Sequence, residues 1–327
     1  MLDERLGVDG FLTRRATRLV CYSGGRRSFA EAVENLDEML GWKISDETAR
    51  NVCEREAELM AEWMQTASPV RAAFEKAEGE VEFQTDATKV NTVEEGWKDL
   101  KIGIFAKRPL GEPAEAAEWN SRDLPAPTAR VAFAAVEKIE DFTTTCSGWM
   151  PQLGVTKTTS TAVLGDGAEW IWNLAATLFD QRLELLDVYH ALEHLWAAAR
   201  VLFGERAATK KAWVDAGRDA LLKDGWHGLC VFLSKSMNPD EAPARRKAIE
   251  ELIGYFAKHT ERLNYAHRLH TGRAIGSGMV EGAASHMIGR RLKQTGARWR
   301  RTHLDAMSGM CCLTYSGGWH AYWALAA

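Results

Sequence analysis

The amino-acid sequence predicts an α/β fold: a mixed sheet with flanking helices, interrupted by a large all-α insertion and preceded by a helical N-terminal domain. Three observations carry this expectation. Three segments between residues 81 and 136 show the period-two alternation of strands. Helix and strand patterns then alternate as far as residue 190. From 191 to 272 only helical periodicity is present, with breaks at Gly204, Gly225 and Asn238-Pro239. The expected divisions are 1–78 for the helical, helix-turn-helix-like domain, 79–190 for the first part of the sheet domain, 191–272 for the insertion, and 273–327 for its second part.

In chain order, residues 1–27 carry Arg14, Arg15, Arg18, Arg26 and Arg27 and a Gly24-Gly25 break. Ser28 is placed to cap a helix through Ala30, Val33, Leu36 and Leu40, which Gly41 ends. Ser45 then caps a second helix, with Thr48 at its third position and Val52 on its apolar face, running to about Trp63. Helix, turn and helix beside arginines is the outline of a DNA-contacting module, although most such hairpins are only structural. The strands expected next are VEFQTDATKV from Val81, KDLKIGIFAK from Lys98 and RVAFAAV from Arg130, the last two separated by a Pro-rich surface loop. A helix over 137–153 follows. The stretch TTSTAVLGDGAEWIWNLAATLFDQRLELLDVYH then reads as strand, turn, helix and strand, so the order is β-β-β-α-β-α-β. After the insertion, Ser277 is a plausible N-cap for a helix bearing Glu281, and Gly282, Ala283 and Ala284 keep that helix thin enough to approach a sheet.

Composition narrows the class. With 46% hydrophobic and 26% charged residues the chain is an ordinary globular one, and a net charge of -4 excludes a uniformly basic nucleic-acid binder. The segment MLDERLGVDG lacks a basic region followed by an apolar core, and no apolar run is long enough for a membrane helix, so a cytoplasmic protein without membrane contact is expected. Six cysteines without a Cys-x-x-Cys pair suggest reduced, mostly buried thiols.

Candidate chemistry lies at the strand exits. Open α/β sheets bind at the carboxyl ends of their strands, where Asp166 and Asp187 fall. Asp86 lies in the first strand and Glu281 on the late helix, so Asp86, Asp166 and Glu281 are three carboxylates able to converge. Such a set suits two Mg²⁺ ions, for which Mn²⁺ can substitute. Two metals roughly 3.5 to 4 Å apart activate an attacking oxygen and stabilise a leaving one at phosphorus. The run Arg290, Arg291, Lys293, Arg298, Arg300 and Arg301, with Trp299 among its members and no acid before Asp305, would hold a polyanion across that acidic pocket.

The element order, with acids at these points, resembles the RNase H-like fold and is similar to the DDE transposases of bacterial insertion sequences. Asp187-Val188-Tyr189-His190 matches the Cys-or-Asp-x-x-His signature of the Mutator-like superfamily. DVYHALEHLW together with IGSGMVEGAASHMIGRRLKQTGARW resembles its ISKra-type members. The resemblance covers most of the chain. It implies a metal-binding triad of Asp86, Asp166 and Glu281, with Asp187 and His190 beside it, and an all-α insertion before the glutamate. It further implies cleavage of double-stranded DNA at transposon ends, joining of the freed 3′-hydroxyl to target DNA, a homodimer or larger assembly, and a place at the bacterial nucleoid. The chain departs from that pattern in lacking a cysteine-containing N-terminal extension and in reading Thr85-Asp86-Ala87 where Asp-Gly is more usual.

Two other readings compete. His190-Ala-Leu-Glu193-His194 matches the H-x-x-E-H pattern of inverted zinc peptidases, whose histidines share one helix face and bind Zn²⁺. A transposase-derived DNA-binding protein without catalysis is the other; the presence of all three acids argues against it.

Overall fold

The computed structural model describes residues 8–9, 11–66, 69–237 and 242–324. After a short antiparallel pairing of Val8–Asp9 with Leu12–Thr13 come four helices: α1 (Arg14–Gly24), α2 (Phe29–Leu40), α3 (Asp46–Thr66) and α4 (Pro69–Lys76). The caps fall where the sequence puts them. Ser28 and Glu31 form a capping box on α2, Gly41 ends that helix, and Ser45 Oγ accepts the Thr48 N–H at 3.1 Å. Helix α1 was not foreseen, because arginines at 14, 15 and 18 mask the stripe of Ala16, Val20 and Cys21 that it buries.

A five-stranded sheet follows, made of β1 (Glu80–Thr92), β2 (Gly96–Arg108), β3 (Ala129–Ala135), β4 (Thr161–Gly165) and β5 (Arg182–Leu186). Its order is β3-β2-β1-β4-β5. β1 and β2 pair antiparallel across a short turn, and β3 adds antiparallel to β2. β4 and β5 run parallel to β1, which requires crossovers; α5 (Ile139–Gln152) and α6 (Glu169–Leu178) supply them.

Beyond β5 come α7 (Val188–Phe203), α8 (Ala207–Ser236), kinked at Asp224-Gly225, α9 (Pro243–Ala257) and α10 (Tyr265–His270). The break expected at Asn238-Pro239 lies outside the described residues. The helix bearing Glu281, α11 (Gly278–Gly282), passes into a π-helical stretch, Ala283–Gly289, and then α12 (Arg290–Leu292). α13 (Arg301–Tyr315) and α14 (Trp319–Ala324) follow. None of the described helices is long and apolar enough to cross a membrane.

Strand alternation divides the interior into two apolar clusters. On β4, Val163 enters one of them, while Ala162 and Leu164 enter the other. The first cluster joins residues of α1 to α3, the sheet, α5, α6, α13 and α14, so the N-terminal helices share their core with the sheet and the C-terminal helices. The second is built by α7 to α10 against β4 and β5. Except for Trp97, which is exposed, all the tryptophans pack in or against these clusters and serve packing. The described cysteines are free, and all but Cys230 are buried.

Candidate active site at the carboxyl ends of three parallel strands

Register alone gathers three of the acids. β1 pairs with β4 as Gln84 with Leu164, and continuing two residues brings Asp86 level with Asp166. β4 pairs with β5 as Gly165 with Leu186, and one further residue brings Asp166 level with Asp187. Side chains level with one another on parallel strands share a face, so the three aspartates line up where β4 and β5 end, midway along β1. Asp86 is half-buried and its Oδ1 accepts the Ala87 N–H at 2.6 Å. Asp166 Oδ1 accepts the Ala168 N–H at 2.9 Å across a turn that needs Gly167, whose φ is +104°.

Glu281 reaches the same place by a different route. Val280 N–H donates to Gln84 Oε1, two residues before Asp86 on β1, which seats α11 on the strand. The loop before α11 is anchored by Arg268, fully buried, whose guanidinium makes a two-pronged pair with Glu80 at 2.7 and 3.2 Å while its Nε donates to the Ala274 carbonyl. Gly276 then passes so close to Asp187 that a Cβ there would lie 3.2 Å from Oδ2.

Asp187 organises this junction. It is fully buried, and both its oxygens are occupied: Oδ1 accepts His190 N–H at 2.9 Å and faces His190 Nδ1 at 3.4 Å, while Oδ2 accepts Ser277 N–H and lies 3.0 Å from Ser277 Oγ. Ser277 is the N-cap residue of α11, as expected, but its side chain makes no capping bond; its hydroxyl sits between two carboxylates, with Glu281 Oε1 at 2.9 Å. One hydroxyl has one proton to donate, so the other contact is satisfied when Glu281 holds a proton of its own.

The charges fit this picture. Burial pushes the Asp86 carboxyl up and the Asp166 charge adds to it, with His190 and Lys293 pulling the other way. Burial also pushes Glu281 up, helped by Asp187. Burial would raise Asp187 as well, but the hydrogen bonds from His190 and Ser277 outweigh it and hold the carboxyl below its ordinary value. The Asp187 hydrogen bond raises His190 to about 9, so the ring is an imidazolium at neutral pH. Lys293 Nζ donates to Thr88 Oγ1 at 2.9 Å, on the strand that carries Asp86.

Asp187, His190 and Glu281 offer ligand atoms within 4.8 Å of one another and could hold a metal ion. Among the described residues it is the only group of that kind, so the expected triad of Asp86, Asp166 and Glu281 does not bring its ligand atoms that close together. His190, Glu193 and His194 do not gather as a ligand group among the described residues; His194 stacks on Tyr255 with ring centroids 3.5 Å apart.

The basic run is divided by the fold. Arg290, Lys293, Arg298 and Arg300 are exposed. Arg291, expected to grip phosphate, is 3% exposed; its Nε donates to the Gly24 carbonyl and its guanidinium lies between the rings of Phe29 and Trp299. Trp299, expected to offer a stacking face, is buried and donates its ring N–H to the Leu292 carbonyl at 3.0 Å. Arg301 is half-buried and pairs with Asp305 at 3.3 Å. The alternating positions Glu80, Glu82, Gln84 and Asp86 mark one polar face of a buried strand, a signal that was available for Gln84 and the Glu80 anchor; nothing in the sequence marks the joint role of Ser277. Tyr255, whose hydroxyl lies 3.4 Å from the Asp166 carbonyl oxygen, was equally hidden.

No protein-family model matches the chain, and no curated protein matches it either.

Proposed function

We propose that the chain is an RNase H-like DDE polynucleotidyl transferase, a transposase that cleaves double-stranded DNA at transposon ends and joins the freed 3′-hydroxyl to target DNA. The observation that carries this reading is the in-register convergence of Asp86 and Asp166 on one sheet end, with Glu281 brought to it by the helix seated on Gln84. A divalent cation fits the donor set. The carboxylates are hard oxygen ligands, and crowding and burial have already pushed Asp86 and Glu281 toward their protonated forms, which a cation would reverse. Asp86, Asp166 and Glu281 would hold Mg²⁺, or Mn²⁺ in its place. Asp187, whose oxygens accept from His190 and Ser277, would brace that set from beside it. Bound there, the metal supplies Lewis-acid stabilisation of charge at phosphorus and an activated water.

The other groups have roles of their own. Asp187 fixes the His190 ring and keeps it cationic, so that the imidazolium can donate to a non-bridging phosphate oxygen beside the carboxylates. Ser277 holds Glu281 against Asp187 and sets its orientation. Exposed Arg290, Lys293, Arg298 and Arg300 are suited to backbone phosphates; two N–H···O bonds between Trp299 and the segment that ends β1 fix their loop to that strand, and Lys293 reaches Thr88 on it. Self-association of two or more copies, to bring two DNA ends together, belongs to the same reading.

The test is cleavage and strand joining on labelled duplexes carrying the inverted repeats that flank the gene, with Mg²⁺ or Mn²⁺, for wild type and Glu281→Gln. Loss of product by roughly a hundred-fold or more with duplex binding intact is expected. Equal activity in the two proteins would remove Glu281 from the centre; binding without cleavage in either would favour the non-catalytic DNA-binding reading.

A further inference from the structure

A second charged site lies where the two ends of the chain meet. A cavity of about 720 Å³ opens between the turn after α1, the π-helical stretch, α12, α13 and β3. Its cationic lining is Arg26, Arg27, Arg130, Arg290 and Arg291, with His286 beside them. The single acid on it, Glu31, is already committed to its capping box, accepting from Ser28 N–H at 3.1 Å and Ser28 Oγ–H at 2.8 Å. Five guanidinium groups therefore converge with a single carboxylate, which faces Arg27.

Several of these arginines are fixed in place. Arg26 lies over the Tyr22 ring, 3.8 Å from its centroid, and donates to the Tyr22 carbonyl. Arg130 lies 4.1 Å from the Tyr315 ring centroid and donates to the Tyr315 carbonyl at 2.7 Å. Neither contact neutralises charge, and each leaves N–H groups free to donate elsewhere. Arg291 adds a buried cation: it is 3% exposed, and its Nη2 is sealed from solvent without a hydrogen-bond partner. Arg27 and Arg290 are exposed, and their side chains donate to no described group of the protein.

We propose that this cavity is a binding site for phosphate groups, with Arg26 and Arg130 as its pre-oriented walls, Arg291 as its floor and Arg27 and Arg290 as its mobile donors. Planar guanidinium forks match phosphate oxygens two at a time, and donors already held by rings and carbonyls lose little freedom when they bind. The shared chemistry is the phosphate oxyanion. Its source is either the backbone of a DNA duplex or a free polyphosphate. The site goes beyond the carboxylate centre, none of whose residues lines the cavity, and shares only Arg290 with the phosphate-facing residues named above, which is why Arg27→Gln is tested alone. A protein that binds through it and cleaves nothing would overturn the transferase reading and leave this one standing.

The test uses the full chain and two probes, inorganic triphosphate and a labelled duplex of arbitrary sequence. Wild type is compared with Arg27→Gln and with the Arg27→Gln/Arg290→Gln double variant, and thermal melting verifies that each is folded. If the cavity tracks a duplex, the double variant should bind it roughly ten-fold more weakly, with the slope of log affinity against log salt reduced by about 2, near 0.9 for each phosphate released. If the ligand is a free polyphosphate, triphosphate should raise the melting temperature of wild type and not of the double variant, while duplex binding is unchanged. Wild-type affinity for both probes in the folded double variant would overturn the proposal.

Discussion

Asp187 and Arg291 are both buried charges that hold a site together, and the fold treats them in opposite ways. Around Asp187 every oxygen is accounted for, by His190 on one side and Ser277 on the other. Around Arg291 there is one hydrogen bond to a carbonyl, two aromatic faces and a terminal nitrogen with no partner. The acidic end of the sheet is thus internally braced, while Asp86 and Asp166 beside it make no ion pair with any described residue. The arginine-lined cavity is held by rings and carbonyls, which orient its cations without neutralising them. Bracing by charge-assisted bonds gives geometry, whereas bracing by rings preserves charge.

The contrast can be broken most sharply at Asp187. Asp187→Ala strands the buried donors of His190 and Ser277, and a loss of about 3 to 5 kcal/mol in urea unfolding is expected, together with separation of α11 from β5. Arg291→Met should cost less, about 1 to 2 kcal/mol, because a flexible apolar chain keeps the contacts with Phe29 and Trp299 and strands only the Gly24 carbonyl. Equal losses would mean that the unpaired nitrogen hides a partner.

Smaller effects test that unpaired charge. The folded state raises Asp86, so its ionisation at neutral pH weakens the metal-free protein. Asp86→Asn should therefore raise the melting temperature in chelator by about 2 °C, while shrinking the further rise that Mg²⁺ gives the wild type. A lower melting temperature in chelator would show that the carboxylate is stabilised by groups other than those facing it.

The smallest effect is a pH slope. His190 titrates near 6.5 when unfolded and is raised to about 9 by Asp187 in the folded protein. Between those values the folded state holds a proton that the unfolded state has lost. The stability it contributes is complete below 6.5 and lost as pH rises through 9. His259 opposes this at lower pH: burial first, and then Arg262, hold it neutral down to about 4, so its contribution is present above 6.5 and declines toward 4. Melting curves of wild type and His190→Gln should therefore converge toward pH 9 and differ most at pH 6; parallel curves would remove the Asp187 pair as the cause.

Strand and helix positions were legible in the sequence because they follow from local periodicity and capping. The segments VEFQTDATKV, KDLKIGIFAK and RVAFAAV became β1, β2 and β3, and Ser28, Gly41 and Ser45 cap where they stand. The acids at the strand exits were legible for the same reason, since a strand's end can be read from its own residues. Local pattern failed where one side chain answers to two distant ones. Ser277 has the sequence context of a helix cap, but it serves Asp187, 90 residues earlier, and Glu281. Arg291 and Trp299 sit in a run that reads as a cationic surface, yet packing against Phe29 takes both of them inside.

The sequence by itself determined the order of elements, the two strand-end aspartates and the all-helical segment after β5, all of which depend on neighbours within a few residues. Only the tertiary structure decided which charges are spent and which are free. Burial and partnership are set by elements far apart in the chain, as when Gly24 at the end of α1 receives the Arg291 guanidinium, or when Gly276 lets a loop reach the carboxylate that ends β5. A charge is worth what surrounds it, and those surroundings form only when the two apolar clusters close around the sheet.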